Sequence, residues 1–459
     1  MNLLLSLLTF ALPMLTGFCI VHSLWADKKD ASNLTLKLSL GIGLGLGLSS
    51  VLYFVYLLLF AGKNWFLFVE ILLFIPALIV AVRKTKGSIR VEFSPLTRTQ
   101  KWMLVIAGIV FLSSTFGILN YARQRALGDW DAWMIYNRAA RFLYRDQTNW
   151  QESFPQEMTV IFHADYPLLL ASNIATSWDI LNKETPYVPM LQSVLFAFAS
   201  LGLMFGALAR LKSAGQASLG LILLIGVPFF IFESGGQTAD LPLAFFMLAT
   251  VTFNFFYHEE KRPVLIAFAG LTAGLAAWTK NEGLLFFLIS ATIITIAELR
   301  NRSLRAILTF IAGAVIPLTV SLYFKLALAP ASEFLNGGIA KIAADVLDFS
   351  RHKFIFVSFM KLFLFNGGWY RVGILPILCV YYLLFHSSVK ENPSPVFIGF
   401  AIFALQILGY YAFYLISPYE LDWHVGSSID RLFIHVYSTI LFVTLMASQT
   451  PEMIFESVE

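Results

Sequence analysis

Acidic, basic and aromatic residues gather in a few short segments of this sequence, each beside an apolar run. GDWDAW, from Gly128 to Trp133, sets Asp129 and Asp131 on alternate positions among Trp130 and Trp133. FHADYP, from Phe162 to Pro167, holds His163 and Asp165. ESGGQTADLP, from Glu233 to Pro242, brings Asp240 to the start of an apolar stretch. WTKNEG, from Trp278 to Gly283, carries Lys280 and Glu282. ELDWHVGSSIDR, from Glu420 to Arg431, supplies Asp422, Trp423, His424, Asp430 and Arg431. Carboxylates beside Lys and Arg suit chemistry on a phosphorylated lipid and a hydroxylated acceptor. The carboxylate takes a proton, and the cation steadies phosphate charge. Each group alone also has a plain structural reading. Asp129 could cap a helix, Asp240 could be a carboxylate favoured by a helix dipole, and Lys280 could pair with Glu282.

The elements that must position these groups are membrane helices. Of 459 residues, 58% are hydrophobic and only 13% are charged. The mean hydropathy is +0.74. Soluble domains carry about 25% charged residues, so too few charges remain here for a water-facing surface. Apolar runs recur that are long enough to cross a bilayer core of about 30 Å. They lie at 2–24, 35–61, 65–82, 102–120, 187–209, 216–233, 238–257, 262–279, 283–298, 304–326, 371–386, 396–416 and 431–448. The expected fold is an all-α, polytopic integral membrane bundle of about thirteen spans. The first run lacks a basic leader and a small-residue cleavage site, so it reads as a retained helix. The stretch 353–366 is short and reads as re-entrant or interfacial. The 44 Phe and 10 Trp suit lipid-facing walls and interfacial belts.

Short basic loops orient the bundle. Lys28 and Lys29 lie in one, and Arg83, Lys84, Lys86, Arg90, Arg98 and Lys101 in another. Arg210 with Lys212, Lys261 with Arg262, and Arg300, Arg302 and Arg305 follow in alternate loops. These fall on one side, the cytoplasmic one, and the polar segments fall on the other. Two long loops, 121–186 and 327–370, are then external. Asp131 to Asp146 reads as a helix with Trp133, Tyr136, Ala140, Leu143 and Tyr144 on one face and Arg138, Arg141 and Arg145 on another. It would lie in the membrane interface or pack on the protein. Gly41/Gly45 and Gly43/Gly47 are small-residue pairs that let helices approach closely. With no strand before them, they do not read as a nucleotide loop. The formal charge of +4 implies no nucleic-acid partner. Cys19 and Cys379 stand alone in apolar runs, so neither a disulfide framework nor a zinc site is indicated.

At these motifs the chain resembles the GT-C superfamily of lipid-linked glycosyltransferases. The likeness is to glycosyltransferase family 39, the protein mannosyltransferase and aminoarabinose transferase branch. It covers roughly residues 100 to 450. Residues 1–101 would be accessory helices, 102–450 the catalytic core and 451–459 a cytoplasmic tail. GDWDAW stands where that family opens its first external loop with an acidic motif. FHADYP resembles its later polar motif before Pro. ADLPLAFF from Ala239, the turn Thr279-Lys280-Asn281-Glu282, and the Asp422 to Arg431 block are similar to further family motifs. The chain departs in having Asp129-Trp130-Asp131 for an Asp-Glu pair, and no large soluble domain after its last helix.

The resemblance implies transfer of a sugar from a polyprenyl-phosphate donor to an acceptor hydroxyl of a glycan, lipid or protein, with inversion. This would occur at the external face of a membrane, a bacterial inner membrane facing the periplasm. Asp131, or else Asp129, would be the base. Lys280 and Arg431 would stabilise the leaving phosphate, and Arg138 and Arg141 would guide it. His163, Asp165, Asp240, Glu282, Trp133, Trp423 and His424 would line the sugar and acceptor pocket. Asp165 and Asp240, with His163, could instead hold a divalent cation, Mg²⁺ or Mn²⁺. Trp130, Trp133 and Trp423 would stack on sugars or anchor at the interface. Two other classes share some features. A transporter or flippase would show repeats, broken helices and polar groups reachable from both sides. A surface-glycan polymerase or ligase would rely on the 327–370 loop with Arg351, His352 and Lys361.

Overall fold

The computed structural model describes residues 2–25, 31–62, 65–84, 95–158, 162–331, 338–365, 373–386 and 394–455. Lys28, Lys29, Lys86 and Arg90, part of the 327–370 loop and the end of the tail lie outside the described residues. Among the described residues the chain is helical, with a single isolated bridge between His386 and Ser448. In chain order the helices begin with α1 (Asn2–Leu24), α2 (Ala31–Phe60), α3 (Phe66–Lys84) and α4 (Arg98–Gln124). The loop region holds α5 (Asn137–Arg145) and α6 (Leu169–Leu181). Then come α7 (Tyr187–Leu211), α8 (Ala214–Ile225), α9 (Pro228–Gly236), α10 (Asp240–Glu260), α11 (Pro263–Thr279) and α12 (Asn281–Arg300). The last are α13 (Leu304–Tyr323), α14 (Gly338–Leu347), α15 (Phe349–Phe365), α16 (Ile374–Phe385), α17 (Ser394–Leu415), α18 (Leu421–Ala447) and α19 (Pro451–Phe455).

Among the described residues, ten helices are long and apolar enough to cross a membrane, or eleven with the α8–α9 pair counted as one bent span. The difference from the expected number lies in short elements. Helix α11 has 17 residues and α16 has 12. At 1.5 Å per residue, these reach only about 26 and 18 Å. The run expected as one span at 216–233 is broken, with its halves inclined at 69°. Pro228 at the start of α9 explains the break, because its ring cannot continue the preceding helix. Of the stretch 353–366, residues 353–365 belong to α15, which buries Ile355, Phe359 and Leu362 on one face, and residue 366 lies outside the described residues.

Sequence signals set several helix ends. Thr97 and Gln100 form a reciprocal capping box at the start of α4. Ser213 Oγ accepts from Gln216 N at the start of α8. The same helix end is also capped from far along the chain. Glu452 of α19 accepts from Ser213 Oγ at 3.0 Å and from Gly215 N at 3.0 Å.

The bundle is layered around α10. Its apolar window is 94% buried, against 11% for α4, which presents Trp102, Ile109, Leu112 and Phe116 outward. Such a face suits lipid contact. Helix α2 packs within the bundle. Its Phe54 meets Trp150, Trp278 and Phe324 edge-on, and Trp278 Nε1 donates to Ser50 Oγ at 2.8 Å. The two glycine pairs of α2 face different neighbours. A Cβ on Gly45 would strike the Pro13 carbonyl of α1, and one on Gly43 would strike the Phe245 ring of α10.

In the 121–186 region, Asp131 to Asp146 begins with a π-helical turn, Ala132–Tyr136, before α5. Tyr136, Ala140 and Leu143 are buried as the helical spacing requires. Trp133 leaves that face and is exposed, because the wider turn changes its phase relative to Tyr136. Every residue from Leu169 to Trp178 in α6 is buried, so this segment of the loop is part of the packed body.

Candidate functional site

The site is built where the ends of several helices meet. Helix α4 ends at Gln124, and Gly128 turns the chain with φ of 73°. A Cβ there would press on Ala132 and the Gly236 carbonyl, so glycine meets both the backbone and the space requirement. Helix α9 ends in a left-handed Gln237, which ties the two exits together. Gln237 Nε2 donates to the Arg125 and Ala126 carbonyls at 3.2 and 3.0 Å, and Asp129 N donates to Gly236 O at 2.9 Å. These bonds fix the entry of the acidic motif. Asp129 then pairs with Arg125 at the rim. Asp131, two residues on, points to Arg431, with Oδ2 2.6 Å from Nη2.

Asp240 opens α10 and is wholly buried. Its Oδ1 accepts from Lys280 Nζ at 2.8 Å and from His435 Nε2 at 2.7 Å. Its Oδ2 accepts from Arg431 Nε at 2.7 Å. A buried carboxylate needs such compensation. Lys280 is delivered by an extended residue between α11 and α12, and it also lies 3.0 Å from Glu282 Oε1. Arg431 and His435 are one turn apart on α18, so both face Asp240. Because a carboxylate accepts only, His435 Nε2 is the protonated nitrogen. Its Nδ1 lies 3.1 Å from Tyr410 Oη.

The chain of contacts continues toward α13. Asn281 Nδ2 donates to Asp165 Oδ2 at 2.8 Å. Lys325 Nζ donates to the same oxygen at 3.2 Å and also to the Asp165 carbonyl. Asp131, Asp165, Asp240 and Glu282 are thereby interleaved with Lys280, Lys325 and Arg431. Glu233, also buried, takes a hydrogen bond from Thr238 Oγ1 at 2.6 Å beside this group.

A narrow cleft, with internal room for about one water molecule, runs alongside. Tyr136, Arg138, Phe154, Phe162, His163 and Tyr166 line it. Among the described residues, the buried Tyr136 hydroxyl has no hydrogen-bond partner. Burial, and then the negative charges of Asp240 and Asp131, push it well above the ordinary tyrosine range, so it remains a proton donor. His163 has a left-handed backbone, φ 43°, and stacks on Tyr166 at 4.9 Å.

The sequence candidates thus divide. Asp131, Asp165, Asp240, Lys280, Glu282 and Arg431 form one polar network, and His163 lines the adjoining cleft. Arg138 lies over the Phe162 ring at 4.8 Å and donates to Met134 O. Arg141 and Arg145 both face Glu184, at 3.4 Å and 2.5 Å, which ties α5 to the segment that follows α6. Trp133 and Trp130 form an exposed edge-on pair. Trp423 is 62% exposed. His424 is bound to Ser417 Oγ at 2.7 Å among the Tyr414 and Tyr419 rings. Arg351 donates to the Tyr414, Leu415 and Ser417 carbonyls at the end of α17.

His435 and Lys325 were missed by sequence reasoning. Both carried a signal: His435 follows Arg431 by one turn, and Lys325 is an ionisable residue in an apolar run. Among the described residues, no group of three or more His, Cys, Asp and Glu side chains has metal-binding geometry. The oxygens of Asp240 face Lys280, His435 and Arg431, and Asp165 Oδ2 faces Lys325 and Asn281. These donor sets do not fit a divalent cation. No family model, curated protein or solved structure matches the chain.

Proposed function

We propose that the chain is a membrane glycosyltransferase of GT-C type, moving a sugar from a polyprenyl-phosphate donor to an acceptor hydroxyl at the external face of a bacterial inner membrane. The observation that carries this reading is the arrangement of Arg431. The residue binds a wholly buried acid, Asp240, and reaches a second acid, Asp131, at the rim. A base and an anion-binding cation therefore stand side by side beside an aromatic cleft. The order of the sequence motifs adds the family resemblance.

In this mechanism the acceptor oxygen attacks the anomeric carbon opposite the lipid phosphate. Asp131 takes the acceptor proton as the new bond forms. The bond from the anomeric carbon to the phosphate oxygen breaks, and its electron pair leaves on the phosphate. Arg431 contacts that growing charge, and buried Lys280 strengthens the local positive field. Asp240, itself bound by His435, holds Arg431 and Lys280 in place. Tyr136, Tyr166 and His163 line the path of the sugar. No step runs through a metal ion. Asp131 is favoured over Asp129 because Asp129 is engaged by Arg125, away from Arg431.

The test is Asp131→Asn in purified protein with a matched lipid-linked donor. General-base catalysis is worth roughly 100- to 10,000-fold, and a loss of that size in turnover is expected, with a much smaller loss for Asp129→Asn. Full turnover in both variants would remove the base assignment.

The bent α8–α9 pair favours a second reading, a lipid-sugar flippase, since broken helices line transporter substrate sites. Movement of a lipid-linked sugar across proteoliposomes without sugar transfer would select it.

A further inference from the structure

Arg431 serves two anions of different standing. Asp240 is wholly buried and is held by two further donors, Lys280 and His435. Asp131 is partly exposed, and its ion-pair partner in the structure is Arg431. It stands between exposed Trp130 and the start of a π-helical turn, on a segment entered through Gly128. The inner pair is fixed by the fold, whereas the outer one can be exchanged. The outer contact is also imperfect. Arg431 Nη2 lies 2.6 Å from Asp131 but makes no hydrogen bond of regular geometry. Elsewhere in the same network, and among the described residues, Tyr136 Oη, Asn281 Oδ1 and Glu282 Oε2 are buried without hydrogen-bond partners. Native proteins seldom leave such groups unsatisfied, and a polar ligand is one of the few explanations.

Guanidinium binds carboxylate and phosphate with the same fork of donors, so the two anions compete for it. We infer that Asp131 occupies the phosphate-binding edge of Arg431, and that a lipid-borne phosphate displaces it. This rests on the reading of the substrate as a lipid-linked phosphate. Its consequence is an ordered site. While Arg431 holds Asp131, the carboxylate is tied up and the phosphate site is closed. Arrival of the phosphate takes over Arg431 and frees Asp131 to face the acceptor. The base becomes available only when the donor is in place, which protects the donor from reaction before it is seated.

The experiment measures binding of radiolabelled undecaprenyl phosphate, which carries no sugar, to the full chain in nanodiscs. Asp131→Asn removes the competitor and should tighten binding by roughly tenfold, as expected for a close charge contact. Arg431→Lys keeps the charge that Asp240 needs but loses the fork, and should weaken binding. In the Arg431→Lys background, Asp131→Asn should give little or none of its gain. Unchanged or weaker binding by Asp131→Asn overturns the inference, even if the Arg431 variants fail to fold. So does a full gain that persists in the Arg431→Lys background. Inorganic phosphate, tested in parallel, separates the sources. A gain shared by both ligands assigns the exchange to the phosphate group, and a gain confined to the lipid assigns it to the lipid-borne form. If the binding pattern holds but no lipid-linked sugar is consumed, the exchange stands and the glycosyltransferase reading fails. If sugar transfer occurs without the binding pattern, the reverse follows.

Discussion

A carboxylate with three cationic or hydrogen-bonding partners is the structural centre of the site, and its removal has a direction that can be predicted. Replacing one member of a buried charged network leaves its partners uncompensated, at a cost of about 3–5 kcal/mol. Asp240→Ala would remove the acid that Lys280, Arg431 and His435 share, leaving only Glu282 beside Lys280 and Asp131 beside Arg431. A marked fall in the melting temperature of the detergent-solubilised protein is expected, together with loss of activity. Asp240→Asn, which keeps an acceptor oxygen, should lose less stability. An unchanged melting temperature for Asp240→Ala would contradict the centrality of this residue. Much of the network was legible in the sequence, because Asp131, Asp165, Asp240, Lys280, Glu282 and Arg431 each interrupt or flank apolar runs. What the sequence did not reveal was how cations would be shared. Arg138, Arg141 and Arg351 have the right chemistry, but aromatic rings, Glu184 and helix-end carbonyls also engage them. Only geometry separates an arginine that joins the buried acids, as Arg431 does, from one that closes a loop.

At the scale of the helices, periodicity and length specified most spans, while a proline and a change of helical pitch were decisive where they failed. The 216–233 run is uniformly apolar, so nothing in its hydropathy marks the bend that Pro228 introduces. Trp133 follows the expected face by spacing, yet the π-helical turn moves it out. The glycine pairs of α2 were readable as close-approach positions, and the structure adds that Gly41 and Gly45 meet α1, whereas Gly43 meets α10 and Gly47 meets α11 and α10. Gly45→Leu should therefore separate α1 from α2. Forcing extra side-chain volume into a packed contact costs about 1–3 kcal/mol. The expected result is lower thermal stability of the purified chain. A substitution at Gly108, which has no neighbour within 4 Å, is the control and should leave stability nearly unchanged.

Over the whole molecule, the two ends of the bundle differ in chemistry. One end holds the interleaved acids and bases around Asp240. The other holds Arg210 against Glu260 and the Trp25 ring, and His258 beside Glu298. Helix ends alternate between these sides along the chain, which is why distant motifs such as GDWDAW and DWH…DR arrive together. In a chain without Cys19 and Cys379, cysteines placed at Trp423 and at Arg300 test the orientation. Both positions are exposed. An impermeant thiol reagent should label Trp423→Cys in intact cells and label Arg300→Cys only after permeabilisation. The reverse pattern would turn the site toward the cytoplasm and remove the proposed donor face.

The cap that Glu452 places on α8 sets an order on biosynthesis. Residue 452 leaves the ribosome long after residues 213 to 236 have entered the membrane. Until then Gly215 N lacks this acceptor, and the bent α8–α9 pair is not yet clamped at its start. That pair carries Gln237 at its far end, which holds the entry of the acidic motif. The acidic end of the bundle therefore acquires this support from a helix that is made long after the elements it steadies.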